Sequence, residues 1–321
     1  MNILAIGDVV SAAGCEFLRS KLPAYKKLKA VDLCIANGEN SAVGNGITPT
    51  SAQYLFDSGV DVITTGNHVF RRREVYDMLD ESDRIIRPAN FHKSSPGKGF
   101  TTVDMGFAKV GIVNLSGMVY MDRCDNPFAV VEEVLPQIED CRIKIVDFHS
   151  EASAEKRAMG FWLDGRVSAV FGTHTHVMTA DAQILPKGTA YISDLGMTGP
   201  KQSVLGVKPE ISIEWLRTGN CLFVCAIISS YSKSDTARIP LTITSAFILS
   251  LKSIRSPLKD KISTFGISFV TSFIRSTLSS IENKGCFDLL INTPIITLSK
   301  TAAVRFIMSK CPRVIGSKLP G

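Results

Sequence analysis

Four of the five histidines, His68, His149, His174 and His176, stand at the ends of apolar runs. His68 closes Val62-Ile-Thr-Thr-Gly-Asn-His and His149 closes Ile143-Lys-Ile-Val-Asp-Phe-His. The other two sit in Val170-Phe-Gly-Thr-His-Thr-His. Imidazole is a common metal ligand and carries protons near neutral pH. A strand that delivers polar residues at its carboxyl end is how open α/β sheets build sites. Asp8 ends Ile6-Gly-Asp, Glu39 and Asn40 end Ala36-Asn-Gly-Glu-Asn, and Asn67 precedes His68. In each run a nearby glycine lets the backbone turn and approach a ligand.

Two carboxylates, two amides and three or four imidazoles exceed the needs of one ion. They suit a pair of cations about 3.5–4 Å apart, bridged by a carboxylate and a hydroxide. Oxygen and nitrogen donors without thiolate point to iron or manganese as readily as zinc. Two such ions acidify a shared water and neutralise phosphate oxygens, so phosphoester hydrolysis is the reaction most in need of both. Singly, each residue has a plainer reading: Asp8 as a helix cap or Asx-turn, Gly-Asn-His as a turn, His-x-His as one face of a strand. Jointly, coincidence would have to make six strand ends polar. Arg71–Arg73 reads as a solvated helix start, His92 as a surface-loop residue and Cys34 as core. Gly7 to Gly14 is not a phosphate-binding loop, because no Gly-Lys-Ser/Thr follows.

The first 200 residues alternate strand and helix signals. Asn2–Val9 is an apolar run, and Phe17 to Leu28 places Leu18, Leu22 and Tyr25 on one helical face, bent at Pro23. Val31–Ala36 reads as the second strand. Thr48 and Pro49 open a helix to Ser58 that Gly59 stops. Asp61–Thr65 is the third strand, with a helix after it marked by Val75, Met78 and Leu79. This order predicts parallel strands with right-handed crossovers. Gly99–Asp104 and Ala108–Asn114 read as an antiparallel pair. Strands over Ile143–Phe148, Ser168–Gly172 and Thr189–Ser193, and a helix over Ala152–Leu163, complete the unit. Two packed sheets with helices outside would hold them.

The net charge of +6 belongs to one end of the chain. Residues 1–220 hold 23 Lys and Arg against 26 Asp and Glu, whereas the remaining residues hold 13 against 4. Seventeen of those last 101 residues are Ser, and no amphipathic period runs through them. We therefore expect a folded domain over 1–219 and a basic, Ser-rich segment over 220–321 of doubtful fold. That segment could contact membrane or nucleic acid; the favoured reading is sequence never selected to fold, as a reading-frame shift near Gly219 would produce. Eight cysteines without a CxxC pair favour reduced thiols and a cytoplasmic location. The N-terminus reads as a strand rather than a signal peptide, and no apolar run reaches the roughly 18 residues of a membrane span.

Seven motifs together resemble the YmdB-type metallophosphoesterases, bacterial members of the calcineurin-like superfamily. They are Gly7-Asp-Val-Val, Asn37-Gly-Glu-Asn, Gly66-Asn-His, Arg87-Pro-Ala-Asn-Phe, Asp147-Phe-His, Gly172-Thr-His-Thr-His-Val and Asp194-Leu-Gly-Met-Thr-Gly-Pro. The resemblance runs from Met1 to about Gly219. It implies a four-layer αββα sandwich of two mixed β-sheets flanked by helices. It also implies a di-iron or di-manganese centre and phosphodiesterase activity on 2′,3′- or 3′,5′-cyclic nucleotides. Carried over residue by residue, it assigns Asp8, Glu39, Asn40 and His176 to one metal. Asn67, His149 and His174 complete the second, and Glu39 bridges. His68 becomes the general acid that protonates the leaving ribose oxygen, while a bridging hydroxide attacks phosphorus. The wider superfamily carries Asp-x-His at the first strand; here Val10 stands in that place, and the amide oxygen of Asn40 substitutes. After Gly219 the chain departs from the family, whose members finish with ordinary strands.

A homo-oligomer acting on a small phosphodiester is expected. An amidohydrolase-type metal hydrolase also uses His-x-His, but early in the chain rather than at 174–176. The remaining alternatives are a regulatory scaffold with a structural metal centre and an inactive frame-shifted product.

Overall fold

The computed structural model describes residues 1–219 and the backbone of four strands beyond them, Leu241–Ile243, Ala246–Leu251, Gly266–Phe269 and Ile295–Ser299. Strands β1 (Asn2–Ile6), β3 (Leu33–Asn37) and β4 (Val62–Thr64) are parallel neighbours in one sheet. The chain leaves that sheet at Gly7, and β2 (Asp8–Val9) pairs instead with β11 (Met197–Pro200). A side chain at Gly7 would collide with the carbonyl of Gly196, so only glycine permits this crossing. In the second sheet, β5 (Phe100–Asp104) and β6 (Lys109–Ser116) form the expected antiparallel pair. Parallel strands β7 (Ile143–His149), β8 (Ala169–Thr173) and β10 (Ala190–Ile192) follow, edged by β9 (Gln183–Ile184).

Alternation along the strands sorts the apolar side chains into three layers. Leu4 and Ile6 pack on α1 (Ser11–Leu28), α2 (Pro49–Asp57) and α3 (Tyr76–Glu81). Ile3, Leu33 and Val62 face the other way, against Ile112, Ile145 and Phe171 of the second sheet. The far face of that sheet, with Val113, Val146 and Val170, is covered by Val131 of α4 (Pro127–Val134) and Met159 of α5 (Ser153–Trp162). The chain is thus a mixed α/β protein, and each such buried side chain contributes about 1.5–3 kcal/mol.

Some elements differ from expectation. Helix α1 starts at Ser11 and continues through Pro23. Its first turn carries only small residues because it lies against β11, where a side chain at Gly14 would meet the carbonyl of Thr198. Helix α4, capped by Asn126 with Pro127 at its first position, and α6 (Pro209–Thr218), ended by Gly219 at φ 70°, were both unanticipated. Strands β12 (Leu241–Ile243) and β13 (Ala246–Leu251) run antiparallel to β11 and β1. Beyond β13 lie β15 (Ile295–Ser299) and β14 (Gly266–Phe269). Apart from these backbones, the expectations for 220–321, the frame shift and nucleic-acid contact included, lie outside the described residues. No helix of the described residues is long and apolar enough to cross a membrane.

The start of α2 formed as read, with a reciprocal box in which Thr48 accepts from the Ser51 amide at 3.2 Å and Ser51 Oγ accepts from the Thr48 amide at 3.0 Å. Thr48→Ala is expected to lower stability by about 1 kcal/mol, measured as a reduced urea midpoint with an unchanged slope.

Candidate metal centre

All eight residues singled out from the sequence come together where the carboxyl ends of the two sheets meet. Glu39, fully buried, lies at their middle. Its Oε1 is 3.0 Å from His149 Nε2, and its Oε2 accepts the His68 backbone amide at 2.9 Å. His149 Nε2 is also 3.1 Å from Asn67 Oδ1 and 3.1 Å from His174 Nδ1. Ligand-type atoms of Glu39, His149 and His174 all fall within 4.8 Å of one another. On the other side of Glu39, His176 Nε2 lies 3.7 Å from Asp8 Oδ1 and 3.2 Å from Asn40 Nδ2. The donors therefore form two abutting clusters that share Glu39.

The decisive feature is how the three imidazoles are held. His149 Nδ1 donates to Thr173 Oγ1 at 2.9 Å, because that hydroxyl itself donates to Asp147 at 2.7 Å. His174 Nε2 meets the Glu151 carboxylate at 3.1 Å, and His176 Nδ1 meets the Leu205 carbonyl at 3.1 Å. Each ring thus spends its outer nitrogen on an acceptor and turns the other inward, the arrangement that orients metal-ligating histidine. The oxygen and imidazole donors fit divalent cations.

Residues 4–223 match the family of the YmdB-like proteins. The chain belongs to that family. A Bacillus subtilis (strain 168) relative named 2′,3′-cyclic-nucleotide 2′-phosphodiesterase is 43% identical over 68% of this chain and 83% of its own. A solved hypothetical protein from Thermus thermophilus superposes at TM-score 0.66 with 41% identity, covering 68% of this chain and 86% of that one. A structure described as a novel phosphatase from Mycoplasma pneumoniae gives 0.66 and 36%, covering 69% and 81%.

Within this YmdB-like site, two details refine the sequence reading. Asp8 belongs to the small β2 ladder rather than to the end of the first sheet strand, and it is fixed by the His174 amide, 2.9 Å from Oδ2. Asn40 presents its amide nitrogen, not its oxygen, to Glu39 Oε1 at 3.2 Å, while Oδ1 faces His68 Nδ1 at 3.1 Å. Service as an oxygen ligand takes a half-turn of that amide, a change of two atoms that are nearly isosteric. Neighbours Asn67 and His68 point apart, one to His149 and one to Asn40, but from a turn after β4 rather than from the expected extended strand end, with His68 at φ −93° and ψ 1°.

Several supporting groups went unread in the sequence. Lys156 and Asp194 form a buried pair at 2.6 Å. Asp194 accepts the Thr175 amide at 3.1 Å, and Lys156 donates to the Thr173 carbonyl at 2.9 Å, so the pair grips the His174–His176 turn on both sides. Asn37 bonds Thr65, Thr173 and Asp147 behind His149. An aspartate inside an apolar strand was the available signal for Asp147; nothing in the helix pattern marked Lys156 as buried. Of the residues set aside, Arg72 proves to be a brace, donating to the Val43 and Asn45 carbonyls at 2.7 and 3.3 Å. His92 is exposed beside Ser94, and Cys34 is core.

Burial alone would lower the His149 pKa, but the Glu39 carboxylate beside it carries it up to about 9. Burial would likewise raise Glu39, yet the adjacent His149 holds it at about 2. Burial and the charged His149 push His174 down to about 3. One proton therefore resides on His149 below about pH 9, on the nitrogen aimed at the cluster.

Two outcomes are expected. The ion held by His149 must displace that proton, so its affinity should rise with pH up to about 9 and its uptake should release roughly one proton at neutral pH. Calorimetry in buffers of different ionisation enthalpy measures this, and uptake without proton release would contradict the assignment of His149. Gly66→Ala would drive a methyl group into the His149 ring and the Glu39 carboxylate. That variant should fold but bind substoichiometric metal, as read by elemental analysis.

Proposed function

We propose that this chain is a metal-dependent phosphodiesterase hydrolysing cyclic nucleotides, 2′,3′- or 3′,5′-cyclic. The observation that carries the reading is the set of three inward-facing imidazoles around two clusters joined at Glu39. The name of the Bacillus relative supports the 2′,3′-cyclic class. Asp8, Glu39, Asn40 and His176 would hold one cation, and Glu39, Asn67, His149 and His174 the other. This donor set suits iron or manganese, and zinc is compatible. Cations held there acidify water and screen phosphate charge.

The chain's own residues supply position and a proton. The amide of Asn67 would help hold a non-bridging phosphate oxygen. His68 is tied through Nδ1 to Asn40, which leaves Nε2 as the nitrogen that delivers a proton to the leaving ribose oxygen. Residues 1–219 contain every one of these groups, and we take them as the metallophosphoesterase domain. The three apolar layers support its description as a four-layer αββα sandwich. The free thiols of Cys15, Cys34, Cys124 and Cys141 support a cytoplasmic location.

The full chain loaded with manganese is expected to hydrolyse a chromogenic phosphodiester and cyclic nucleotides. His68→Ala should retain its metal and lose about 10²–10⁴-fold in turnover. Full turnover with metal bound would remove His68 as the acid. A wild-type protein that is fully loaded yet inert would remove the phosphodiesterase reading itself.

A further inference from the structure

A cavity of roughly 210 Å³ adjoins the donor clusters, lined by His68 and His176 of those clusters and by Leu205, Val207 and Ile211 among others. Two loops enclose it, and both use left-handed backbone. Gly44, Asn45 and Gly46 have φ of 76°, 70° and 81°; Leu205 and Gly206 have 53° and 98°. Arg72 ties down the first loop through its two carbonyl contacts. The second is closed by reciprocal bonds between Val204 and Val207 at 2.7 and 2.9 Å. A leucine at positive φ is a strained choice, and such strain concentrates at ligand clamps. Here the conformation turns the Leu205 carbonyl onto His176 and makes its residue part of the cavity wall.

We infer that this cavity is the subsite for the nucleoside of a cyclic nucleotide whose phosphate lies at the donor clusters. The inference rests on the phosphodiesterase reading above. Position is its first support: His68, the group that would protonate the leaving ribose oxygen, lines the cavity, so the ribose that carries this oxygen, still joined to phosphorus through its second ester bond, lies on this side with its base. Chemistry is the second. Leu205, Val207 and Ile211 offer an apolar surface to the face of a base, and Asn45 adds a polar partner for its edge or for the sugar. Size limits the occupant: at roughly 210 Å³ the cavity is smaller than the about 300–1,000 Å³ of pockets that enclose drug-sized molecules, so it suits one small group of a substrate rather than a larger ligand.

The test compares an adenosine 2′,3′-cyclic phosphate with base-free ribose 2′,3′-cyclic phosphate on the manganese-loaded full chain. Adenosine binding is followed in parallel by calorimetry. Wild type should prefer the nucleotide, and adenosine should bind and compete with it. Ile211→Ala should lower the ratio of kcat/KM, nucleotide over base-free substrate, by about tenfold, the effect of trimming an apolar pocket. Val207→Ala should move the ratio the same way and serves if the first variant does not fold. Equal kcat/KM for the two substrates in wild type, or an unchanged ratio in the folded variants, overturns the subsite while the phosphodiesterase reading stands. If wild type hydrolyses neither substrate, the reading of function fails instead. Adenosine binding then decides the cavity: binding weakened by either variant supports it, and no binding overturns it.

Discussion

Asp8 and Glu39 are carboxylates with no exposed surface at the meeting point of two sheets, and the rest of the site answers to that constraint. A buried charge persists only when it is paired, hydrogen-bonded or bound to a cation. Asp194 has Lys156 and two backbone amides, and Asp147 has the hydroxyls of Thr64 and Thr173. Asp8 and Glu39 are treated differently. Each uses one oxygen on a backbone amide, of His174 and His68 respectively, and turns the other toward imidazole nitrogens. In each, the second oxygen also accepts from the Asn40 amide nitrogen, at 3.4 Å for Asp8 and 3.2 Å for Glu39, so every group facing these two oxygens is a hydrogen-bond donor or an imidazole, at a position that calls for positive charge.

Holding that geometry takes strained backbone. His174 and His176 both have positive φ, at 105° and 62°, and only Thr175 separates them. Such residues persist when their surroundings over-determine them. Here the His174 amide is held by Asp8, the Thr175 amide by Asp194, and the His176 ring by Leu205. Those three contacts come from the first small ladder, from the segment after β10, and from the turn before α6. The turn is therefore set by three separate stretches of chain, and one altered stretch would move two ligands at once.

That division explains what was legible in the sequence. Strand-end residues Asp8, Glu39, Asn40, Asn67 and the four histidines carry polar chemistry in local patterns, and the structure gathers all of them. The Thr48 cap was readable because cap chemistry is complete within four residues. The departure of β2 from the first sheet was not, because it depends on the close approach of Gly7 to Gly196, far apart in sequence. Glu151, Lys156 and the Leu205 carbonyl were equally hidden. The first two look like solvated helix-end charges, and a carbonyl has no side-chain signature at all.

The adjacency of Asn67 and His68 shows why the site needs both kinds of information. An extended strand end is expected to face successive residues opposite ways and so divide the pair between two tasks; the pair does divide, but from within a turn. The expectation says nothing of what each would meet. The structure supplies it: Asn67 lies on the His149 side of Glu39, and His68 lies on the Asn40 side with its amide on the same carboxylate. Glu39 therefore fixes the backbone that carries the proposed acid as well as the cluster that carries the proposed cations. Moving that carboxylate would shift His68 and His149 together. The separation between proton donor and donor clusters is for this reason a property of one residue rather than of two independent loops.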